Sequence, residues 1–457
     1  MSRKMSRTRA AALIFAALLV LAQLTACSDG REINPDPDAG PQPDMKPTPD
    51  KGKDVVKVKD VGQDIKPSPD KGKTKGDAFF AKPPCKTVAL EKDKEVDVLF
   101  VIDNSGSMAH EQQNLAKNFY KFVDAIRTSK LGNKIPNVHI GIVTTDLGAG
   151  NYNLPSCTPA GGDKGKLQNK ATATGCKPPT DPYIKYQDGK TNVPSSTPDP
   201  VVQVKTGFQC IAQVGVSGCG FEQTIQSARR ALDPTLNVNP GFFRKDALLA
   251  VIFISDEDDC SAANPQLYDP SQQGLTDPLG PLTSFRCFEF GVQCQCPKGA
   301  KCDRTTVGPR LNCVPGGKYL HKVTTFIQFF ANLKKTPAGK PHPRRVIMSA
   351  IVGPTDKVEV GLSGSYPTLK PSCQSTAGFA VPAVRIKYLV HAFARELTPQ
   401  EVSDIKNKKK IIPHWIDAAG KHRTENTSTI CSPDFSPALG RFGADIVAAM
   451  GTRCVTP

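Results

Sequence analysis

The sequence has few aromatic side chains and no complete catalytic pattern, and each shortage excludes something. One Trp and eight Tyr among 457 residues, with no DNA- or RNA-binding motif, offer little for base stacking, so nucleic acid is not an expected partner. No His-Glu-x-x-His occurs, and Gly215-Val-Ser-Gly-Cys219 carries Cys where a nucleophile elbow closes on Gly. Gly72-Lys73-Thr74 resembles the end of a phosphate-binding loop, yet Pro67 stands where its leading Gly belongs. The expectation is therefore a protein that is not an enzyme. The apolar run near the start, Ala10 to Ala22, is thirteen residues long, short of the roughly 20 that a membrane-spanning helix needs.

That run follows Arg3, Lys4, Arg7 and Arg9 and leads into Leu24-Thr-Ala-Cys27, the layout of an export signal over residues 1–26. Its ending resembles the bacterial lipobox, which implies cleavage before Cys27 and acylation of that residue. Several acyl chains on Cys27 would hold the protein to a membrane, since each buried methylene contributes about 0.8 kcal/mol. Ser28 after the lipid-bearing Cys points to the outer membrane, so the expected location is a bacterial cell envelope. The net charge is +16, four of it in the leader; the remaining excess serves solubility or attraction to an anionic lipid surface.

Residues 27–84 read as a tether. Lys46-Pro-Thr-Pro-Asp-Lys-Gly-Lys53 recurs as Lys66-Pro-Ser-Pro-Asp-Lys-Gly-Lys73, with almost no apolar periodicity around either copy. Such a stretch buries too little surface to offset chain entropy. Extended at about 3.1 Å per residue, it would reach on the order of 150 Å.

Removing Cys27 from fifteen cysteines leaves an even number, and in an exported chain these are expected as disulfides, up to seven bridges of undetermined pairing. Cys287, Cys294, Cys296, Cys302 and Cys313 crowd together but lack two Cys-x2-Cys knuckles, so disulfides are preferred there over zinc.

From residue 85 to 457 the pattern is globular. Val96–Ile102, Val138–Thr144, Ala247–Ser255 and Arg345–Val352 are nearly continuous apolar runs, as in strands buried on both faces of a parallel sheet. Helical spacing joins Leu115, Phe119, Phe122, Val123 and Ile126, and further helices are predicted over Phe221–Leu232, Tyr319–Leu333, Val381–Leu397 and Ser436–Met450. Alternating strands and helices predict an α/β fold with a doubly wound, mostly parallel sheet flanked by helices. Residues 146–209, 260–318 and 353–380 are long, Cys-bearing and poor in periodicity. Each follows a predicted strand, which places three insertions at the carboxyl rim of the sheet.

Asp103-Asn-Ser105-Gly-Ser107 follows the first strand directly. A carboxylate and two hydroxyls at alternate positions of a tight turn can converge on one hard cation, Mg²⁺, Mn²⁺ or Ca²⁺. The stretch Asp97-Val-Leu-Phe-Val-Ile-Asp-Asn-Ser-Gly-Ser-Met108 resembles the first strand and metal-ion-dependent adhesion site of von Willebrand factor A domains. That resemblance implies a second carboxylate at the end of a later strand, here Asp256 in Ile252-Phe-Ile-Ser-Asp256, bonded to the cation directly or through water. Glu257, Asp258 and Asp259 are expected as a solvated rim, and His110 as a solvated helix residue. The family also supplies a Thr before a following helix. Here Cys219 falls near that position, a poor ligand for a hard cation and a candidate for a disulfide with Cys210. Glu222 or water would take the Thr's place. By the resemblance, the cation keeps an open position for a carboxylate of a protein partner. Two other roles stay open: an envelope scaffold with a degraded metal site, or a secreted hydrolase housed in the insertions.

Overall fold

The computed structural model describes residues 95–450 except 128–133, 158–160, 172–174, 298, 300, 377 and 410, together with the backbone of Lys86–Thr87 and Cys454–Val455. The export signal, Cys27 and the tether lie outside the described residues. Seven strands form the central sheet: β1 (Glu95–Ile102), β2 (Asn137–Thr144), β3 (Ile184–Gln187), β4 (Lys190–Thr191), β5 (Leu248–Ser255), β6 (Val346–Val352) and β7 (Thr427–Thr429). Their order is β7-β6-β5-β1-β2-β3-β4. The first five in that order are parallel to one another, and β3 and β4 extend the β2 edge antiparallel. The α/β, mostly parallel architecture expected of the sequence is present.

Both faces of the sheet are covered, which is why its central strands are apolar without alternation. Side chains of β1 divide by parity: Val96, Val98, Phe100 and Ile102 enter one core, Leu99 and Val101 the other. The first core is closed by α1 (Ala109–Ile126), α2 (Pro200–Ile211) and α6 (Ser436–Met450). The second is closed by α3 (Thr224–Leu232), α4 (Val323–Leu333) and α5 (Val384–Ala392). An aromatic cluster binds the first layer together: Phe119 stacks on Phe208 with ring centroids 3.6 Å apart, and Phe100 meets Phe208 edge-on at 4.8 Å.

The three long connections are more ordered than their sequence suggests. Residues 146–209 contain the β3–β4 hairpin and most of α2, whose first turn is fixed by Asp199 accepting from the Val201 N–H at 2.8 Å and by Pro200 at its start. Residues 260–318 and 353–380 combine into one antiparallel sheet, in the order Tyr366–Leu369, Val358–Ser363, Gly308–Pro315, Val292–Gln295. Six disulfides occur among the described residues: Cys157–Cys219, Cys176–Cys210, Cys260–Cys287, Cys294–Cys313, Cys296–Cys302 and Cys373–Cys431. Cys219 thus pairs with Cys157 and not with Cys210, because α2 carries Cys210 towards Cys176. The crowded cysteines of the second insertion are bridged, as preferred over zinc.

Arg385, fully buried at the start of α5, fastens the insertions to the sheet. Its guanidinium donates to Asp259 Oδ2 at 3.1 Å and to the carbonyls of Gly291, Gly316 and His321. Removing one member of a buried ion pair leaves the other charge uncompensated, at a cost of about 3–5 kcal/mol. Arg385→Met is expected to lose that much stability in urea denaturation, and a loss below ~1 kcal/mol would show the pair to be dispensable.

Candidate metal centre

The strand order places the site. From β1 the chain passes to β2 on one side and later to β5 on the other, so a crevice opens where the ends of β1 and β5 diverge, the usual ligand position of an open parallel sheet. Asp103 leaves β1 there, its N–H bonded to the Ile254 carbonyl of β5 at 2.9 Å. Its carboxylate is fully buried: Oδ1 accepts from the Ser105 N–H at 2.8 Å and the Thr145 hydroxyl at 3.4 Å, and Oδ2 from the Ser255 hydroxyl at 2.6 Å. Gln112, one turn into α1, donates to the carbonyls of Asp103 and Gly215, 2.8 Å each. The Ser105 and Ser107 hydroxyls lie 3.3 Å apart. Gly106 and Ser107 are exposed, so the group has a mouth to solvent.

The loop before α3 closes in from the other side. Gly218 N–H bonds the Asn104 carbonyl at 2.7 Å, and a Cβ at Gly218 would fall 2.2 Å from the Asn104 Oδ1. A side chain at Gly218 would require the Asn104 amide to move. Cys219, disulfide-bonded to Cys157, contributes no free thiol here. Glu222, 1% exposed, is buried here instead, and the charge of Glu257 acts on it.

Of the residues singled out in the sequence, Asp103, Ser105 and Ser107 stand on the turn after β1, Asp256 directly follows β5, and Glu222 lies in the loop before α3. The sequence did not foresee Thr145 and Ser255, hydroxyls on Asp103, nor Glu111, a buried acid in the first turn of α1. The solvated rim expected of residues 257–259 is corrected at Asp258 and Asp259, which the fold engages. Glu257 is half-buried, its backbone N–H and carbonyl both bonded to the Ser255 hydroxyl. Asp258 accepts the N–H groups of Arg385 and Ile386 at the start of α5. Asp259, fully buried, pairs with Arg385 and accepts the Ile225 N–H at the start of α3. Two helix N-termini draw these acids inward, because their free N–H groups and positive dipole ends favour carboxylates. His110 is exposed, as expected.

Burial and mutual repulsion hold protons on this group. Burial, then the charge of Asp103, pushes Asp256 up to about 8; the same two causes push Glu257 up to about 7. Glu222 is raised well above the usual range by burial and then by Glu257, Asp103 and Asp256, and Asp103 is raised by burial. Asp256 Oδ1 and Glu111 Oε2 are buried without a hydrogen-bond partner, a costly state that a bound cation would relieve. Among the described residues no three or more His, Cys, Asp or Glu side chains are arranged to hold a metal ion. The oxygens that could face a cation here are the carboxylates of Asp103 and Asp256 and the hydroxyls of Ser105 and Ser107. That mixture of oxygens suits a hard cation.

These shifts carry a sign. An acid whose folded pKa exceeds its unfolded value binds its proton more tightly when folded, so stability is present at low pH and lost as pH rises through the folded pKa. His139, lowered to about 4 by burial, acts in the opposite sense only below its ordinary value of about 6.5. Glu401 and Glu425, held near 2 chiefly by Arg395 and His391 against the opposing effect of burial, are ionised throughout. In chelator, the melting temperature is therefore expected to fall between about pH 6.5 and pH 8, with Asp256→Asn flattening the slope. A flat profile in the wild type would contradict this electrostatic description.

Compared with known protein families the chain matches none, and no curated protein matches it in sequence.

Proposed function

We propose that this protein is a metal-dependent protein-binding module of the von Willebrand factor A type, held at a bacterial envelope by a lipid on Cys27. One observation carries the reading. Asp103, Ser105, Ser107 and Asp256 come from two separate strand ends to one partly exposed crevice, where Asp256 Oδ1 is buried without a partner. Those four residues would hold Mg²⁺, Mn²⁺ or Ca²⁺, directly or through water. When bound, the ion supplies positive charge at the mouth for a carboxylate oxygen of a protein partner.

The chain's own residues do the positioning. Ser255, Thr145 and the Ser105 N–H fix the Asp103 carboxylate. Gln112 ties the Asp103 backbone to the loop at Gly215. The bridged insertions surround the rim and give a partner surface to read beyond the single carboxylate. The tether would carry this domain away from the membrane.

A pull-down from envelope extracts, with and without chelator, tests the reading against Asp103→Ala. The expected result is a partner captured by the wild type with cation, and lost with chelator or with Asp103→Ala. Calorimetry should show a cation affinity weakened by Asp103→Ala beyond the roughly 10–100-fold typical of outer-shell losses. Capture that ignores both cation and Asp103 would favour a scaffold role with a degraded site.

A further inference from the structure

The parallel strands give the domain two different ends. The candidate metal centre lies at the carboxyl end, and β1 begins at the opposite edge, at Glu95. A chain anchored upstream of Glu95 therefore joins the domain at that amino edge. Helix α5 starts at the carboxyl rim, where Asp258 accepts the N–H groups of Arg385 and Ile386, and β7 runs parallel to β6. The segment between them, residues 393–426, consequently lies at the amino edge as well. Trp415 fixes it there by stacking on His391 in the last turn of α5, with ring centroids 4.7 Å apart. Arg395 does the same, bonding Glu401 at 2.8 Å and Asp445, near the end of α6, at 3.3 Å.

This segment carries an exposed tip that is both basic and apolar. A helix over Pro399–Lys406 runs into Lys406-Asn-Lys-Lys-Lys-Ile-Ile412, ahead of a hairpin of His414–Ile416 with His422–Thr424. Lys406, Lys408 and Lys409 are exposed, and Ile411 is 94% exposed beside them. Ile416, on the hairpin, is exposed too. Three of the segment's acids serve other cations: Glu401 binds Arg395, Asp417 binds Arg423, and Glu396 lies 3.3 Å from Lys421. The turn into β6 adds exposed Lys335 and Lys340, and the turn into β5 adds exposed Lys245 next to exposed Asp246. Water solvates the ammonium groups well and the isoleucine side chain poorly. Lysines around a bare isoleucine therefore match a surface that is anionic outside and apolar just beneath.

Resting on the envelope reading above, we propose that this amino edge, led by Lys406, Lys408, Lys409 and Ile411, docks on an anionic lipid surface. The lysines are drawn to the headgroups, and Ile411 enters the boundary beneath them. The length of β1 then puts the candidate metal centre roughly 25 Å above the bilayer. A long tether alone would leave the domain in any orientation. The docked edge turns the crevice outward, towards a partner.

Trp415 is the one tryptophan of the chain and sits in the hairpin that follows this tip, so energy transfer from it to dansyl-labelled headgroups reads the approach directly. The full chain is mixed with vesicles of phosphatidylcholine, or of phosphatidylcholine with about one-third phosphatidylglycerol. Flotation scores attachment, and fluorescence then scores transfer. The expected result is strong transfer on the anionic vesicles, little on the neutral ones, and loss of transfer in high salt. Lys406→Gln/Lys408→Gln/Lys409→Gln should lower the ratio of docked to undocked protein on the order of 100-fold, and Ile411→Ser roughly tenfold. Unchanged Trp415 emission without vesicles shows that these variants are folded. Attachment to neutral vesicles, with transfer equal on both kinds or absent from both, overturns the docking and leaves the anchor. Transfer on anionic vesicles with no attachment to neutral ones supports the docking and overturns the lipid on Cys27. Heparin binding that needs the same lysines, without transfer on anionic vesicles, overturns the docking in favour of a soluble polyanion.

Discussion

Mutual repulsion among buried carboxylates at the ends of β1 and β5 is the constraint on which the rest of the rim depends. Asp103 and the four consecutive acids Asp256 to Asp259 cannot all be ionised in so small a volume unless each finds compensation. Two of them find it in the fold: Asp258 at the first turn of α5, and Asp259 on Arg385 and at the first turn of α3. Asp103 is partly satisfied by three hydroxyl or amide donors. Asp256, Glu257 and Glu222 are left with carboxyls raised above the usual range by burial and by one another's charge.

The same residues join the site to the long insertions. Arg385 compensates Asp259 and holds the carbonyls of Gly291, Gly316 and His321, so the second insertion is anchored through the acid that also caps α3. The Cys157–Cys219 bridge ties the first insertion to the loop that presents Glu222, and Cys260–Cys287 closes the second directly after Asp259. Each bridge limits the conformations of the unfolded chain. Each also lies close in sequence to an acid of the crevice, so the insertions and the site form one mechanical unit.

Much of this was legible in the sequence, for identifiable reasons. The four inner strands announce themselves because burial on both faces removes polar residues from apolar runs, and α6 occupies Ser436–Met450 as read. Helix α2 is harder to see inside a polar, Cys-bearing stretch, although Val201, Val204, Phe208 and Ile211 are spaced three, four and three and Asp199-Pro200 is a start signal. Asp103, Ser105, Ser107, Asp256 and Glu222 were identifiable by position relative to strand and helix ends. Thr145 and Ser255 were not, because hydroxyl residues are common and their contact with Asp103 exists only once β1, β2 and β5 are neighbours. Asp258 and Asp259 looked like part of a solvated run because linear sequence does not reveal that the helix N-termini at residues 385 and 225 arrive beside them. Disulfide partners are likewise set by through-space approach, as Cys219 shows.

The central claim is that oxygens from the ends of β1 and β5 share a bound cation. Anomalous diffraction from crystals grown with Mn²⁺ tests it most directly. The account predicts a peak roughly 2 Å from oxygens of Asp103, Ser105, Ser107 or Asp256, or one water removed from them. Well-ordered density for those side chains with no anomalous peak in the crevice would contradict it.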